Sequence, residues 1–201
     1  MIVIVNYGLG NLGSIRNMLK RLGTDSMISD DPHHLHEAKK IILPGVGAFD
    51  TGMQHLMDNG WIEPLNRKVL EDKVPTLGIC LGMQLMTRGS EEGMLPGLGW
   101  IDGEVVRFVD PAIRVPHMGW NQVKVVRENS ILTSEEGNEL RFYFVHSYFV
   151  RLHHQRNLLG TTCYGTDFAS AFSEGNIFGV QFHPEKSHRY GMNLLKKFSA
   201  L

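Results

Sequence analysis

Cys80 sits between two glycines in the run Thr76-Leu77-Gly78-Ile79-Cys80-Leu81-Gly82-Met83-Gln84. A short apolar segment ends at this cysteine and a helix-like pattern starts directly after it. The spacing is the cysteine form of a nucleophile elbow, in which the reactive residue stands on a strained strand-to-helix turn above a sheet. Glycines flank such a residue because the turn leaves no room for Cβ atoms on both sides. A helix beginning after Cys80 would aim its free N–H groups and its dipole at the sulfur, favouring thiolate over thiol. A lone cysteine is more commonly buried and inert; the paired glycines, with Gln84 on the first helical turn, weigh for the elbow.

A base for that thiol stands near the other end of the chain, where Ile177-Phe178-Gly179-Val180-Gln181-Phe182 runs into His183-Pro184-Glu185-Lys186. A histidine at a strand end, stopped by proline, is held at the sheet edge, and Glu185 is close enough to turn back onto the imidazole. The pair would supply a base that takes the thiol proton and a carboxylate that orients the base and stabilises its cation. A third element is Ile41-Ile42-Leu43 followed by Pro44-Gly45-Val46-Gly47. A glycine-rich turn after a strand exposes successive backbone N–H groups and suits an anion; taken alone it reads as a turn that needs positive φ. Cysteine elbow, donor turn and His-Pro-Glu together give a cysteine hydrolase or acyltransferase working through a thioester.

The elements that must position these groups follow from hydrophobic periodicity. Ile2–Val5, Ile41–Leu43 and the segment ending at Cys80 read as short buried strands, and Met27–Ile28 as a weak second strand. Helical spacing fits Leu12–Leu22, Ala48–Met57 and Ile62–Leu70. This βαβα alternation predicts an α/β fold: a doubly wound, mostly parallel sheet with helices on both faces, which binds ligands beyond the carboxyl ends of its strands. Cys80 and the Pro44–Gly47 turn should therefore open on one edge. After a Gly/Pro-rich stretch at 89–99 the pattern becomes antiparallel. Strands are expected at Ile101–Val109, Val115–Val126, Arg141–Val150 as one long strand, Leu158–Cys163, Ala169–Ser173 and Ile177–Phe182, with a hairpin at Glu174-Gly175-Asn176. A closing helix covers Tyr190–Phe198.

Other features exclude function classes. The 201 residues suggest one domain spanning 1–201, and a formal net charge of −1 leaves no footprint for nucleic acid or an anionic membrane. No apolar stretch reaches membrane-spanning length, and the N-terminus lacks the basic region of a signal peptide. Only Cys80 and Cys163 occur, which favours a reducing cytoplasm over a disulfide scaffold. Cys163 lacks the elbow glycines and reads as structural. Gly8-x-Gly10-x-x-Gly13 has no acidic ribose partner about 20 residues on, so it reads as a structural or partner-contacting turn rather than a dinucleotide site. His33, His34 and His36 lack metal-ligand spacing, and no metal is expected.

Pro44-Gly45-Val46-Gly47, Gly78-Ile79-Cys80-Leu81-Gly82-Met83-Gln84 and His183-Pro184-Glu185 together resemble the class I (triad) glutamine amidotransferases, in chain order over essentially the whole length. Within that family, four stretches are similar to the glutaminase subunits of imidazole glycerol phosphate synthases. They are Asn6–Asn11, Pro116-His117-Met118-Gly119-Trp120-Asn121, Phe144-Val145-His146-Ser147-Tyr148 and His183–Ser187.

The resemblance implies a flavodoxin-like sheet and no cofactor. Cys80 would attack the side-chain amide of L-glutamine. His183 would act as base and then acid, and Glu185 would orient it. Backbone N–H groups of Val46, Gly47 and Leu81 would form the oxyanion hole, in a turn that reorganises when a partner binds. Gly45, Gln84, Ser147 and Tyr148 would hold the glutamine, Ser147 standing where threonine also occurs. The implied partner is a (β/α)8-barrel cyclase subunit in a heterodimer, met by Asn11, Met118, Trp120 and Asn121. Trp120 is the natural anchor, although a core tryptophan is an equal reading of the sequence. The resemblance brings no nucleic-acid or membrane partner.

A glutaminase would fill this length and leave no acceptor domain, and ammonia is mostly protonated at neutral pH, so direct hand-over to a second protein is expected. Three alternatives stand: a paralogue feeding a sugar-modifying enzyme of surface-polysaccharide synthesis, another cysteine hydrolase on a related fold, and a catalytically silent binding subunit.

Overall fold

Four-residue strands separated by helices open the chain. They are β1 (Ile2–Val5), α1 (Leu12–Arg21), β2 (Ser26–Ser29), β3 (Lys40–Leu43), α2 (Phe49–Asp58), α3 (Ile62–Asn66), β4 (Thr76–Ile79) and α4 (Leu81–Leu85). The structure, a computed structural model, describes residues 1–133 and 139–201. The second part holds β5 (Gly103–Arg107), β6 (His117–Val125), β7 (Leu140–His146), β8 (Tyr148–Leu152), β9 (Leu158–Tyr164), β10 (Thr166–Glu174), β11 (Ile177–Val180) and α5 (His188–Ala200).

The strands pair in the order β2-β1-β3-β4-β11-β10-β9-β6-β7, with β8 attached to β10 and β5 to β8. The first five are mutually parallel, and β10 returns antiparallel to β11 through the predicted hairpin. The inner parallel strands β1, β3, β4 and β11 bury both faces, while β2 at the sheet edge, Ser26-Met27-Ile28-Ser29, is only partly buried. Ile2 and Ile4 pack with Ile15 and Leu19 of α1 and Leu194, Leu195 and Phe198 of α5. Val3 and Val5, one residue out of step, pack with Phe49, Met53 and Leu56 of α2. Side chains alternate across a strand, so the two sets must lie on opposite faces. Helices therefore cover both faces, as the βαβα alternation predicts.

Register decides where the chemistry lies. Leu43 pairs with Gly78, Gly78 with Gly179 and Ile79 with Val180. The carboxyl ends of β3, β4 and β11 are thus level, and the residues leaving them are Pro44, Cys80 and Gln181. Three segments far apart in sequence leave the sheet at one edge.

Three expectations change. The single strand expected over Arg141–Val150 is two, broken at Ser147: β7 pairs with β6, and β8 with β5. Apolar residues fill successive positions on both sides of Ser147, so the sequence carries no trace of the break, although Phe142 and Phe144 pack in one cluster and Val150 in the other. The helix after Cys80 has only five residues, all buried, ending at Leu85, so its dipole adds less at the sulfur than a full helix would. The helix expected over Ile62–Leu70 is α3 continued by a π-turn over Arg67–Glu71.

Candidate active site

Cys80 takes φ +53° and ψ −109°, a left-handed conformation that is strained for a residue with a Cβ. Close approach of the chain explains the flanking glycines. A Cβ on Gly82 would lie 1.8 Å from the Leu43 carbonyl oxygen, and one on Gly78 would lie 2.8 Å from backbone atoms of Gly82 and Met83. The Cys80 N–H continues the ladder to the Val180 carbonyl at 2.8 Å, and the Cys80 carbonyl accepts from Gln84 N–H at 3.2 Å. The elbow is pinned on both sides.

His183 enters from the next strand, its N–H bonded to the Tyr143 carbonyl of β7 at 2.9 Å. Its Nδ1–H donates to Glu185 Oε1 at 2.8 Å, and both side chains are 1% exposed. The other ring nitrogen, Nε2, is buried without a hydrogen bond, as is Glu185 Oε2. Burial pushes this imidazole down. The hydrogen bond and charge of Glu185, with the neighbouring Cys80 sulfur, outweigh that and hold it up at about 10. The ring is thus built to carry a proton, and the carboxylate is what makes a buried cation tolerable.

The Pro44–Gly47 turn faces the same space. Gly47 has φ +117°, and a Cβ on Gly45 would fall 2.3 Å from Tyr7 Oη. That hydroxyl donates to the Pro44 carbonyl at 2.6 Å. Burial, with the charge of Cys80 adding to it, pushes Tyr7 up, so it stays a donor and clamps the turn. Leu81 N–H, one of the three expected oxyanion donors, is taken by the Gly45 carbonyl at 3.4 Å. Val46 and Gly47 line a cavity of about 250 Å3 with Cys80, Gln84, Ser147 and Tyr148. A larger cleft of about 540 Å3 lies between the Pro32–Glu37 turn and α3, remote from these groups; chemistry rather than size selects the site.

Gln84 is buried, and its Nε2 donates to the Tyr148 carbonyl and to Gln181 Oε1, both at 3.0 Å. Its Oε1 therefore remains as an acceptor for an incoming N–H. Three further residues at the site escape a reading of the sequence. Gln181, wholly buried, places Nε2 3.6 Å from Cys80 Sγ. Glu92 lines the cavity while Oε2 accepts the Phe49 N–H of α2 at 2.9 Å. Val145 offers its carbonyl to the thiol at 3.9 Å. Gln181 has one sequence signal, a polar residue inside an otherwise apolar strand end before His183. Glu92 has none, since it lies in the loop after α4.

The expected interface residues fall into two places. Met118 is 62% exposed and Trp120 42%, the latter stacked on His188 at 5.5 Å. Trp120 is thus a surface residue; Trp61 and Trp100 are the buried tryptophans. Asn121, half-buried on the same strand, bonds the Cys163 carbonyl at 3.0 Å. Asn11 accepts from Ser14 Oγ at 3.0 Å, in a turn whose Gly10 lies against Pro44. Pro116, leading into β6, itself lines the cavity. Among the described residues no His, Cys, Asp or Glu group is arranged to hold a metal ion, and no helix is long and apolar enough to cross a membrane.

The sequence profile of the family Glutamine amidotransferase class-I matches residues 3–200. The chain belongs to the class I glutamine amidotransferases. As a member of that family it is an enzyme that hydrolyses glutamine. It is 51% identical, over 199 residues and 98% of both chains, to the imidazole glycerol phosphate synthase subunit HisH 2 of Methanococcus maripaludis. It is 48% identical, over the whole of both chains, to the subunit of the same name from Pseudomonas aeruginosa. Among solved structures, a glutamine amidotransferase superposes with a TM-score of 0.76 at 20% identity, covering all of both chains. A glutamine amidotransferase of Thermotoga maritima gives 0.67 at 19% identity, covering 99% of this chain and 82% of that one. These two share the amidotransferase fold.

Proposed function

We propose that this chain is the glutaminase subunit of an imidazole glycerol phosphate synthase, with Cys80, His183 and Glu185 as its triad. The observation that carries the chemistry is the buried His183–Glu185 pair beside Cys80 at the level ends of β4 and β11. Full-length identity to HisH subunits supports the biological role in L-histidine synthesis.

The thiolate of Cys80 attacks the side-chain carboxamide carbon of L-glutamine. His183 passes its proton to the amide nitrogen, the C–N bond breaks, and ammonia leaves a γ-glutamyl thioester. A water molecule, giving its proton to His183, then cleaves the thioester to glutamate and regenerates Cys80. Gln84 Oε1 and the Glu92 carboxylate face the cavity as acceptors, which suits the α-ammonium of an amino acid. Ser147 and Tyr148 close its other wall.

The tetrahedral oxygen needs N–H donors, and Leu81 N–H is bonded to Gly45 instead. Turning the Gly45–Val46 peptide would move the Gly45 carbonyl off Leu81 and swing the Val46 N–H toward the same space. One rotation thus frees one donor and supplies another. Losing one such donor costs roughly 2.7–4 kcal/mol, or about 10²–10³ in rate. The protein is an enzyme at rest until something turns that peptide.

The partner is a (β/α)8-barrel cyclase, which takes the ammonia and forms imidazole glycerol phosphate and AICAR. It docks on Met118, Trp120, Asn121 and Asn11, which belong to two segments that touch the site, one through Pro116 and one through the Gly10–Pro44 contact. No cofactor takes part, and a reducing cytoplasm keeps both free thiols reduced. The test is glutamate release by the chain alone, with the cyclase, and with the cyclase and its nucleotide ligand. Activity should be low alone and rise by about 10²–10³ in the last mixture. High constitutive activity in the isolated chain would remove the gate, and no glutamate in any mixture would remove the function.

A further inference from the structure

We propose that Gln181 is a positioning residue for Cys80, whose side-chain N–H donates to the sulfur. The inference rests on Cys80 being the nucleophile. It adds a group that the triad description lacks.

Gln181 follows β11 directly and is wholly buried. Its backbone N–H bonds the Ser170 carbonyl at 2.9 Å, and the residue before it accepts the Cys80 N–H. Main-chain bonds therefore fix both ends of the Gln181–Cys80 contact. An amide in such a place costs free energy unless both of its ends are bonded. Here both are: Nε2 stands 3.6 Å from Cys80 Sγ, and Oε1 accepts from Gln84 Nε2 at 3.0 Å.

The amide can face only one way. The Tyr148 carbonyl accepts and cannot donate, so Gln84 must present its NH2 group there. The same NH2 group faces Gln181, which must answer with its oxygen. The Gln181 NH2 group is then left pointing at the sulfur. Reversing it would set two donors against each other at Gln84 and an oxygen against the sulfur. The orientation is imposed from a backbone carbonyl two residues away along the hydrogen-bond chain.

This arrangement distinguishes the two states of the sulfur. A thiol directs its S–H at the Val145 carbonyl, 3.9 Å away, and is a weak acceptor. A thiolate accepts strongly, and hydrogen bonds to charged acceptors are about twice as strong as neutral ones. Gln181 therefore favours the thiolate and holds it on the His183 side. Once the sulfur is acylated it accepts only weakly, and the bond is given up during the reaction.

The experiment is alkylation of Cys80 by iodoacetamide between pH 5 and 9, followed by mass spectrometry of the Cys80 peptide. It uses the full chain in a Cys163→Ser background, because Cys163 is an exposed thiol. Gln181→Met keeps the volume and removes the donor. It should move the alkylation profile about one unit to higher pH, the low end for a hydrogen bond to a charged group. Gln181→Glu, which sets an oxygen toward the sulfur, should move it further. A folded Gln181→Met protein with the parental profile would overturn the proposal. A second measurement probes the same contact with no substitution at Gln181. The Gln181 side-chain amide proton resonance should shift on alkylation of Cys80 and in Cys80→Ala, and a resonance indifferent to both would overturn the proposal. Glutamate release by Cys80→Ala in the activated complex reports separately on the nucleophile assignment, so the two failures are told apart.

Discussion

Acid should unfold this protein through two histidines outside the proposed triad. His117 and His146 stand opposite each other on β6 and β7, with His117 Nδ1 and His146 Nε2 2.9 Å apart. The Tyr148 carbonyl can only accept, so His146 Nδ1 carries the proton that reaches it at 2.8 Å. His146 Nε2 is then the acceptor for His117 Nδ1–H, and His117 Nε2 accepts from the Asn121 amide at 3.2 Å. Both rings are neutral in this pattern, and an extra proton on either sets two donors face to face. Burial pushes His117 down to about 4 and His146 down to about 3, the latter further lowered by the charge of its neighbours His117 and His183.

Both side chains titrate near 6.5 in an unfolded chain. Below pH 6.5 the unfolded state therefore binds more protons than the folded one. The contribution of the pair is complete above that pH and is lost as pH falls toward 4 and then 3. At pH 4.5 each ring lies about two units below its unfolded midpoint, worth roughly 2.7 kcal/mol, so the pair accounts for at most about 5 kcal/mol of a typical 5–15. His183 acts with the opposite sign. Held up at about 10, its contribution is complete below 6.5 and lost as pH rises toward 10, so it does not shape the acid limb. Urea unfolding between pH 7.5 and 4.5 reads the effect without screening the charges. The unmodified protein should lose up to about 2.7 kcal/mol per pH unit between pH 6 and 4.5 from this pair. His117→Gln/His146→Gln, less stable at pH 7.5, should lose correspondingly less per unit. An equally steep acid limb in that double variant would refute the reasoning.

Two further substitutions test the site and the elbow. Glu185→Gln keeps an acceptor for His183 Nδ1–H but removes the buried negative charge that supports the imidazolium. Glutamate release by the activated complex should fall by about 10² or more in kcat with little change in KM, and an unchanged kcat would exclude Glu185 from the triad. Gly82→Ala places a Cβ 1.8 Å from the Leu43 carbonyl, so either β3 or the elbow must move. A loss above about 4 kcal/mol in urea unfolding is expected, and a variant of normal stability would show that the elbow is looser than its geometry.

The elbow, the candidate triad and the doubly wound half of the fold are legible in the residues alone. Gly78-x-Cys80-x-Gly82 announces a close approach of backbones, because only a missing Cβ lets Leu43 and Met83 come so near. Runs such as Ile2–Val5 announce a strand buried on both faces, because nothing polar interrupts them. Such signals are local, written in residues that neighbour one another. The break at Ser147 was invisible, because apolar residues run on from Phe142 to Val150 while the packing face and the hydrogen-bond partners change. The roles of Glu92, Gln181 and the His117–His146 pair escaped for a related reason. A polar residue in a loop or at a strand end acquires a role only from what another segment sets against it. It takes the folded molecule to show that Gly45 holds the Leu81 N–H, that Gln181 faces the sulfur, and that Trp120 lies outside the core. Each depends on strand register and on which way one amide or peptide is turned, and neither leaves a pattern along the chain.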